Sequence, residues 1–260
     1  CMDPGAGRYT IIGGKEGSRL LTPIGLAEDN QGRVYITDSA AAAVYRYDPA
    51  DGSLKPFMSE LFARPTGIVF NKSNGMLYIV DTTGQKVIAA GLEGFERWQL
   101  GSSENGVGQF NYPTDIAVDK QGRLYVTDAL NYRIRIFSPA GVQLAKFGEA
   151  GDAMGSLKRP KGVAVDSAGH IYVCDALLDA VQIFDREGQL LLSFGRQGVG
   201  PGEFWMPSGI FIDSEDYIYV ADTYNQRIQV FRYLPGPEPA SALSDKQEGK
   251  GGSPGSPLPR

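Results

Sequence analysis

Five aspartates, Asp38, Asp81, Asp128, Asp175 and Asp222, recur along this 260-residue chain at intervals of 43, 47, 47 and 47 residues. Carboxylates spaced so regularly could converge on a divalent cation, calcium wanting about six to eight oxygens, or could share protons in acid–base work. Their surroundings point elsewhere. Each ends an apolar run, as in RLYVTD and YIYVAD, and opens a turn. The residue five further on is basic in three cases, Lys86, Arg133 and Arg227. A carboxylate so placed accepts nearby main-chain N–H groups and orders its turn. Where the basic residue is replaced by Ala43 or Ala180, the acid is expected to rely on main-chain donors alone. The five are read as structural turn residues, and no metal is assigned to them.

Other residues able to do chemistry are sparse. His170 is the single histidine, so no Ser–His–Asp set exists without it. The two cysteines, Cys1 and Cys174, give no disulfide framework. Cys174 occupies a slot that holds Thr37, Val80, Thr127 and Ala221 in the matching segments, and reads as a buried thiol. Asp115 replaces a glycine, with Asn111 nearby, and Glu28 is the other acid on an equivalent segment. That is a thin oxygen set. No glycine-rich phosphate loop leads into a helix, so neither a catalytic residue nor a cofactor is assigned.

The elements that must position these residues are strands. Prolines 23, 65, 113, 160 and 207 open five units, which repeat every 42 to 48 residues, as four-stranded blades do. In the third unit, TDIAVD (114–119), RLYVTD (123–128), RIRIF (133–137) and VQLAKFG (142–148) read as successive strands separated by turn residues. First strands such as IAV and IFI are apolar throughout, which suits burial on both faces. No helical stripe of useful length occurs. The fold class is all-β.

The pattern P-x-G-I-x-V-D…G-x-I-Y-V-x-D…N-x-R-I-x-V-F…G, repeated over 23–233, resembles the NHL repeat. That resemblance implies a β-propeller of four-stranded blades, with six blades expected in a parent protein of bacterial, extracytoplasmic kind. Residues 1–22 are read as a trailing hairpin or fourth strand of an incomplete or closing blade. On one reading residues 8–12 complete the last unit in a five-bladed ring; on the other the first blade lies mostly upstream of Cys1. Residues 234–260, rich in Pro, Gly and Ser, are expected to be disordered. Cys1 as a lipid-bearing terminus accompanies the periplasmic or extracellular expectation, with the cytoplasm as alternative. No apolar run is long enough to span a membrane.

Propellers similar to this one include zinc-dependent lyases that use several histidines and calcium-dependent lactonases. One imidazole cannot supply a three- or four-ligand zinc site. A divalent-metal hydrolase or lyase in the central channel is therefore the runner-up. RNA binding, known for some NHL propellers, needs clustered cations. Here the net charge is −5, the pI about 5.0, and LKRPK (157–161) the one tight basic run, so nucleic acid is not the expected partner.

The leading expectation is a non-enzymatic recognition or scaffold module for a protein or peptide, a small molecule being the third partner class. Links between strand four and the next strand one share a face with the loops between strands two and three. There the units diverge most, as recognition loops do. The candidate rim comprises Arg64, Tyr112, Asp115, Arg159, Lys161, Trp205, Met206, Tyr132 and Tyr224, with Leu130 and Leu177 beside them. Tyr, Trp, Met and Arg are the types enriched at interfaces.

Overall fold

The computed structural model describes residues 2–3, 8–9, 12, 20–101 and 109–233. They form a β-propeller of five antiparallel blades. Blade one comprises Pro23–Glu28, Val34–Asp38, Ala43–Asp48 and Ser53–Met58. Blade two comprises Pro65–Asn71, Met76–Asp81, Lys86–Ala90 and Glu96–Leu100. Blade three is Pro113–Val118, Leu124–Asp128, Arg133–Phe137 and Gln143–Phe147; blade four is Pro160–Val165, Ile171–Asp175, Ala180–Phe184 and Leu190–Phe194. Blade five has three strands, Pro207–Ile212, Tyr217–Asp222 and Arg227–Arg232. The 3-10 turn Ala129–Asn131 is the one helical element among the described residues.

Each opening proline faces the aspartate that ends strand two: Pro23 with Asp38, Pro65 with Asp81, Pro113 with Asp128, Pro160 with Asp175 and Pro207 with Asp222. The register slips just after every one of these pairs. Proline has no N–H to give a ladder, so the sheet starts at a bulge, and the chain before it is free to turn toward the aspartate.

First strands of successive blades pack side by side on the inside of the arc. Four apolar clusters lie between blades one and two, two and three, three and four, and four and five. Tyr35 and Ile88 anchor the first, Phe110 and Phe137 the second, Leu157 and Phe184 the third, Phe204 and Val220 the fourth. Close approach is enforced by glycine on the inner strand. A Cβ at Gly67 would lie 2.7 Å from both Cα and Oδ1 of Asp115 on the next blade.

Of the two readings of the amino-terminal segment, the pairing seen is Met2–Asp3 with Arg8–Tyr9, a two-stranded sheet of its own, while blade five keeps three strands. Cys1, and with it the lipid-anchor reading, lies outside the described residues, as does the segment 234–260.

Candidate functional site

The five aspartates do not meet. Each is buried in its own blade and clamps two stretches of chain together. Asp38 accepts the amides of Leu21 (2.5 Å) and Thr22 (2.9 Å) from the link before Pro23, and those of Ala40 and Ala41 from its own turn. Asp175 does the same with Lys158, Arg159, Leu177 and Leu178. In both, every donor is main chain. Asp81 takes Ala63, Arg64 and Gly84 amides. Asp128 takes the Asn111 amide, Asn131 and Arg133 Nε at 2.8 Å; Asp222 takes the Trp205 amide, Asn225, Gln229 and Arg227 Nε at 2.8 Å. Burial pushes Asp38 and Asp222 up, but these donors together outweigh it and hold both carboxyls below the ordinary aspartate value of 3.8.

The long-range half of the clamp was not visible in turn chemistry. It fastens the link that carries the rim residues to the end of strand two, so the aspartates set where the rim stands without lining it. A second carboxylate series was also missed as a device. Asp29, Asp119, Asp166 and Asp213 directly follow strand one, accept amides two and four residues on, and take the hydroxyls of Tyr35, Tyr125, Tyr172 and Tyr219 at 2.9–3.1 Å. Its signal was the fixed six-residue step from Asp to Tyr. Blade two carries Asn71 instead, and Asn74 serves Tyr78. His170 belongs to this opposite face, its Nδ1 2.8 Å from Asp166 Oδ2.

The candidate rim divides into four. Arg64, Tyr112 and Arg159 each stand immediately before the opening proline, on consecutive blades two, three and four, and Lys161 follows Pro160. Arg64 Nη1 donates to the Tyr112 hydroxyl at 2.8 Å. Burial lowers the Lys161 ammonium below its ordinary value, and the nearby guanidiniums of Arg159 and Arg64 lower it further. None of these three cations pairs with an acid among the described residues. Tyr112 holds a left-handed backbone, φ 56°, a conformation costly for a non-glycine residue.

Farther round, Trp205 and Tyr224 of blade five stack with ring centroids 5.4 Å apart, both exposed. Met206, also left-handed at φ 55°, gives its amide to Asp179 of blade four. Tyr132 differs from the rest: it packs against the cluster between blades three and four.

Asp115 lies in the inner wall below the cations. Its Oδ2 accepts the Val163 amide of blade four at 3.1 Å, and burial raises its carboxyl to about 7 despite that bond. Thr114 Oγ1 beside it donates to the Lys161 carbonyl. That is the counterpart of the Thr66 carbonyl that Thr37 uses in blade one, and Thr127, the counterpart of Thr37, is left buried without a partner. The Cys174 thiol is buried and pushed up by burial, then by Asp115 and Asp175. No group of three or more His, Cys, Asp or Glu side chains able to hold a metal ion occurs among the described residues. A shallow pocket lined by Met76, Leu92, Arg97 and Trp98 sits at the tight-turn face, away from the rim.

An NHL-repeat family model matches residues 110–137, and a model described as a 6-bladed beta-propeller matches residues 156–233. The chain is a β-propeller that carries an NHL repeat at residues 110–137. No curated protein sequence matches the propeller. Among solved structures it is similar to virginiamycin B lyase from Staphylococcus aureus, at 16% identity over 91% of this chain and 77% of that one, TM-score 0.63. A streptogramin B lyase matches at 15% identity over 83% and 70%, TM-score 0.60. A Bacteroides thetaiotaomicron protein of unknown function matches at 18% identity over 79% of this propeller and 57% of that chain, TM-score 0.64. At such identities the likeness speaks to fold alone.

Proposed function

We propose that this propeller is a non-enzymatic recognition module, holding a protein or peptide segment on the face formed by the strand four-to-one links and the strand two-to-three loops. The observation that carries the reading is the gathering of Arg64, Tyr112, Arg159 and Lys161 at one mouth, on the same face as the exposed Trp205–Tyr224 pair farther round. Rigid clamps hold unlike side chains there, which is the arrangement a selective surface needs. Tyr112→Ala and Arg159→Ala should each abolish capture of the partner while leaving the melting temperature unchanged. Capture undiminished in both variants removes this face from the account.

The second reading is a divalent-metal hydrolase or lyase working in the channel. It is favoured by the fold shared with a virginiamycin B lyase and a streptogramin B lyase and by Asp115 in the inner wall. Against it, the single histidine sits at the far face. Metal analysis, with thermal shifts in calcium and in EDTA, separates the two: a large shift belongs to the enzyme. An exported location, periplasmic or extracellular, is a further proposal drawn from the NHL resemblance, and cell fractionation tests it. Among the described residues no helix is long and apolar enough to cross a membrane.

A further inference from the structure

Three cations at one mouth whose charged ends form no ion pair among the described residues, the buried Asp81 and Asp175 being spent on the main-chain amides of Arg64 and Arg159, are an unbalanced arrangement for a chain of net charge −5. Elsewhere arginines are matched: Arg33 with Asp29, Arg123 with Asp119, Arg133 with Asp128, Arg196 with Glu203 and Arg227 with Asp222. The Arg64 guanidinium meets the neutral Tyr112 hydroxyl, and Asp115 in the inner wall gives one carboxylate oxygen to the Val163 amide of blade four and sets the other against Gly67 of blade two. Like charges held together without a counter-ion repel, and an incoming anion relieves that repulsion as well as gaining charge-assisted hydrogen bonds.

We propose that Arg64, Tyr112, Arg159 and Lys161 form a subsite for a carboxylate side chain of a bound acidic peptide. This deepens the recognition reading and rests on it. Guanidinium forks at Arg64 and Arg159 suit a planar carboxylate, and the Tyr112 hydroxyl, fixed by Arg64, adds an oriented donor. Exposed Leu130, Leu177, Trp205 and Tyr224 on the same face supply the apolar and aromatic contacts that the rest of a peptide would use. Three cations on a short arc are few for a nucleic-acid backbone, whose binding draws on many phosphate contacts.

The test uses the full chain and an amidated, fluorescein-labelled heptapeptide that alternates Glu with Leu, against the same peptide with Gln for Glu. Anisotropy should show the Glu peptide binding about ten-fold more tightly or better, with the advantage shrinking as salt rises. Arg159→Gln and Lys161→Gln should erase that advantage, and Arg159→Lys should keep part of it. Because Lys161 is a half-buried cation without a partner, Lys161→Gln should leave the melting temperature equal or higher. Equal binding of both peptides overturns the assignment, as does tighter binding of a ten-nucleotide single-stranded RNA, or a binding loss that comes with unfolding in Lys161→Gln. Equal peptide binding with partner capture still lost in Tyr112→Ala sinks the carboxylate subsite alone. Capture insensitive to Tyr112→Ala and Arg159→Ala sinks the recognition face beneath it.

Discussion

Blades three and five carry nearly the same third strand, RIRIF and RIQVF, and the two meet opposite fates. Ile134 and Ile136 are 0% and 5% exposed; Ile228 and Val230, their counterparts, are 68% and 53% exposed. Phe211 on the inner strand of blade five and Ile24 and Leu26 on that of blade one are exposed too. The local motif therefore builds a blade, whereas burial comes from the neighbour. Interior blades are covered on both sides, and the four apolar clusters fall between successive blades. Among the described residues blades one and five each keep an apolar face without such a cluster, an unusual amount of exposed hydrocarbon.

The sharpest way to break that contrast is one substitution made twice. Ile134→Ala empties a closed site and should cost about 2–5 kcal/mol. Ile228→Ala removes a side chain that faces solvent and should stay within about 0.5 kcal/mol. Denaturant titration of both variants reads the difference directly. Equal costs would mean that blade five is covered in solution, and the contrast would fall.

The same distinction decides what was legible in the sequence. Strand order, the opening prolines and the aspartate series could all be read, because each is written once per blade and obeys local rules. The reliance of Asp38 and Asp175 on main-chain donors agrees with Ala43 and Ala180, but Asp81 also takes main-chain amides alone although Lys86 stands five residues on, so the basic residue does not by itself decide the donors. What spacing could not disclose was any relation between blades: that the clamps reach back 16–18 residues into the preceding link, or that Arg64 of blade two meets Tyr112 of blade three. Tyr132 shows the same limit. Its loop position matches a rim residue, but its ring packs against the apolar cluster shared with blade four.

Glycine on the inner strand offers a second, smaller test. At Gly67 an added Cβ meets the backbone of blade three at 2.7 Å, so Gly67→Ala should cost about 1–3 kcal/mol through forced displacement. At Gly209 the nearest atom is the Ala221 Cβ at 3.6 Å, ordinary contact. Gly209→Ala should be neutral or stabilise by roughly 0.4–1 kcal/mol, by narrowing the unfolded ensemble. Thermal melts of the pair suffice. A penalty at Gly209 like that at Gly67 would place another strand against blade five.

A last test separates two kinds of carboxylate. Asp38 and Asp222 are held below 3.8, so their contribution is present above that value and is lost as pH falls from about 4 downward. Asp115, half-buried on blade three between Gly67 of blade two and the Val163 amide of blade four, carries the opposite sign: its carboxyl is raised to about 7, so stability declines as pH climbs from about 4 to 7 while the folded form keeps the proton that the unfolded form has released. Asp115→Asn keeps an acceptor for the Val163 amide and cannot ionise. It should therefore raise the melting temperature at pH 8, by roughly 2–4 °C for each kcal/mol recovered, and flatten the slope between pH 4 and 7 without touching the acid limb. A variant that melts lower than the parent at pH 8 would show that the ionised carboxylate is wanted in the wall, and would move weight toward a cation in the channel.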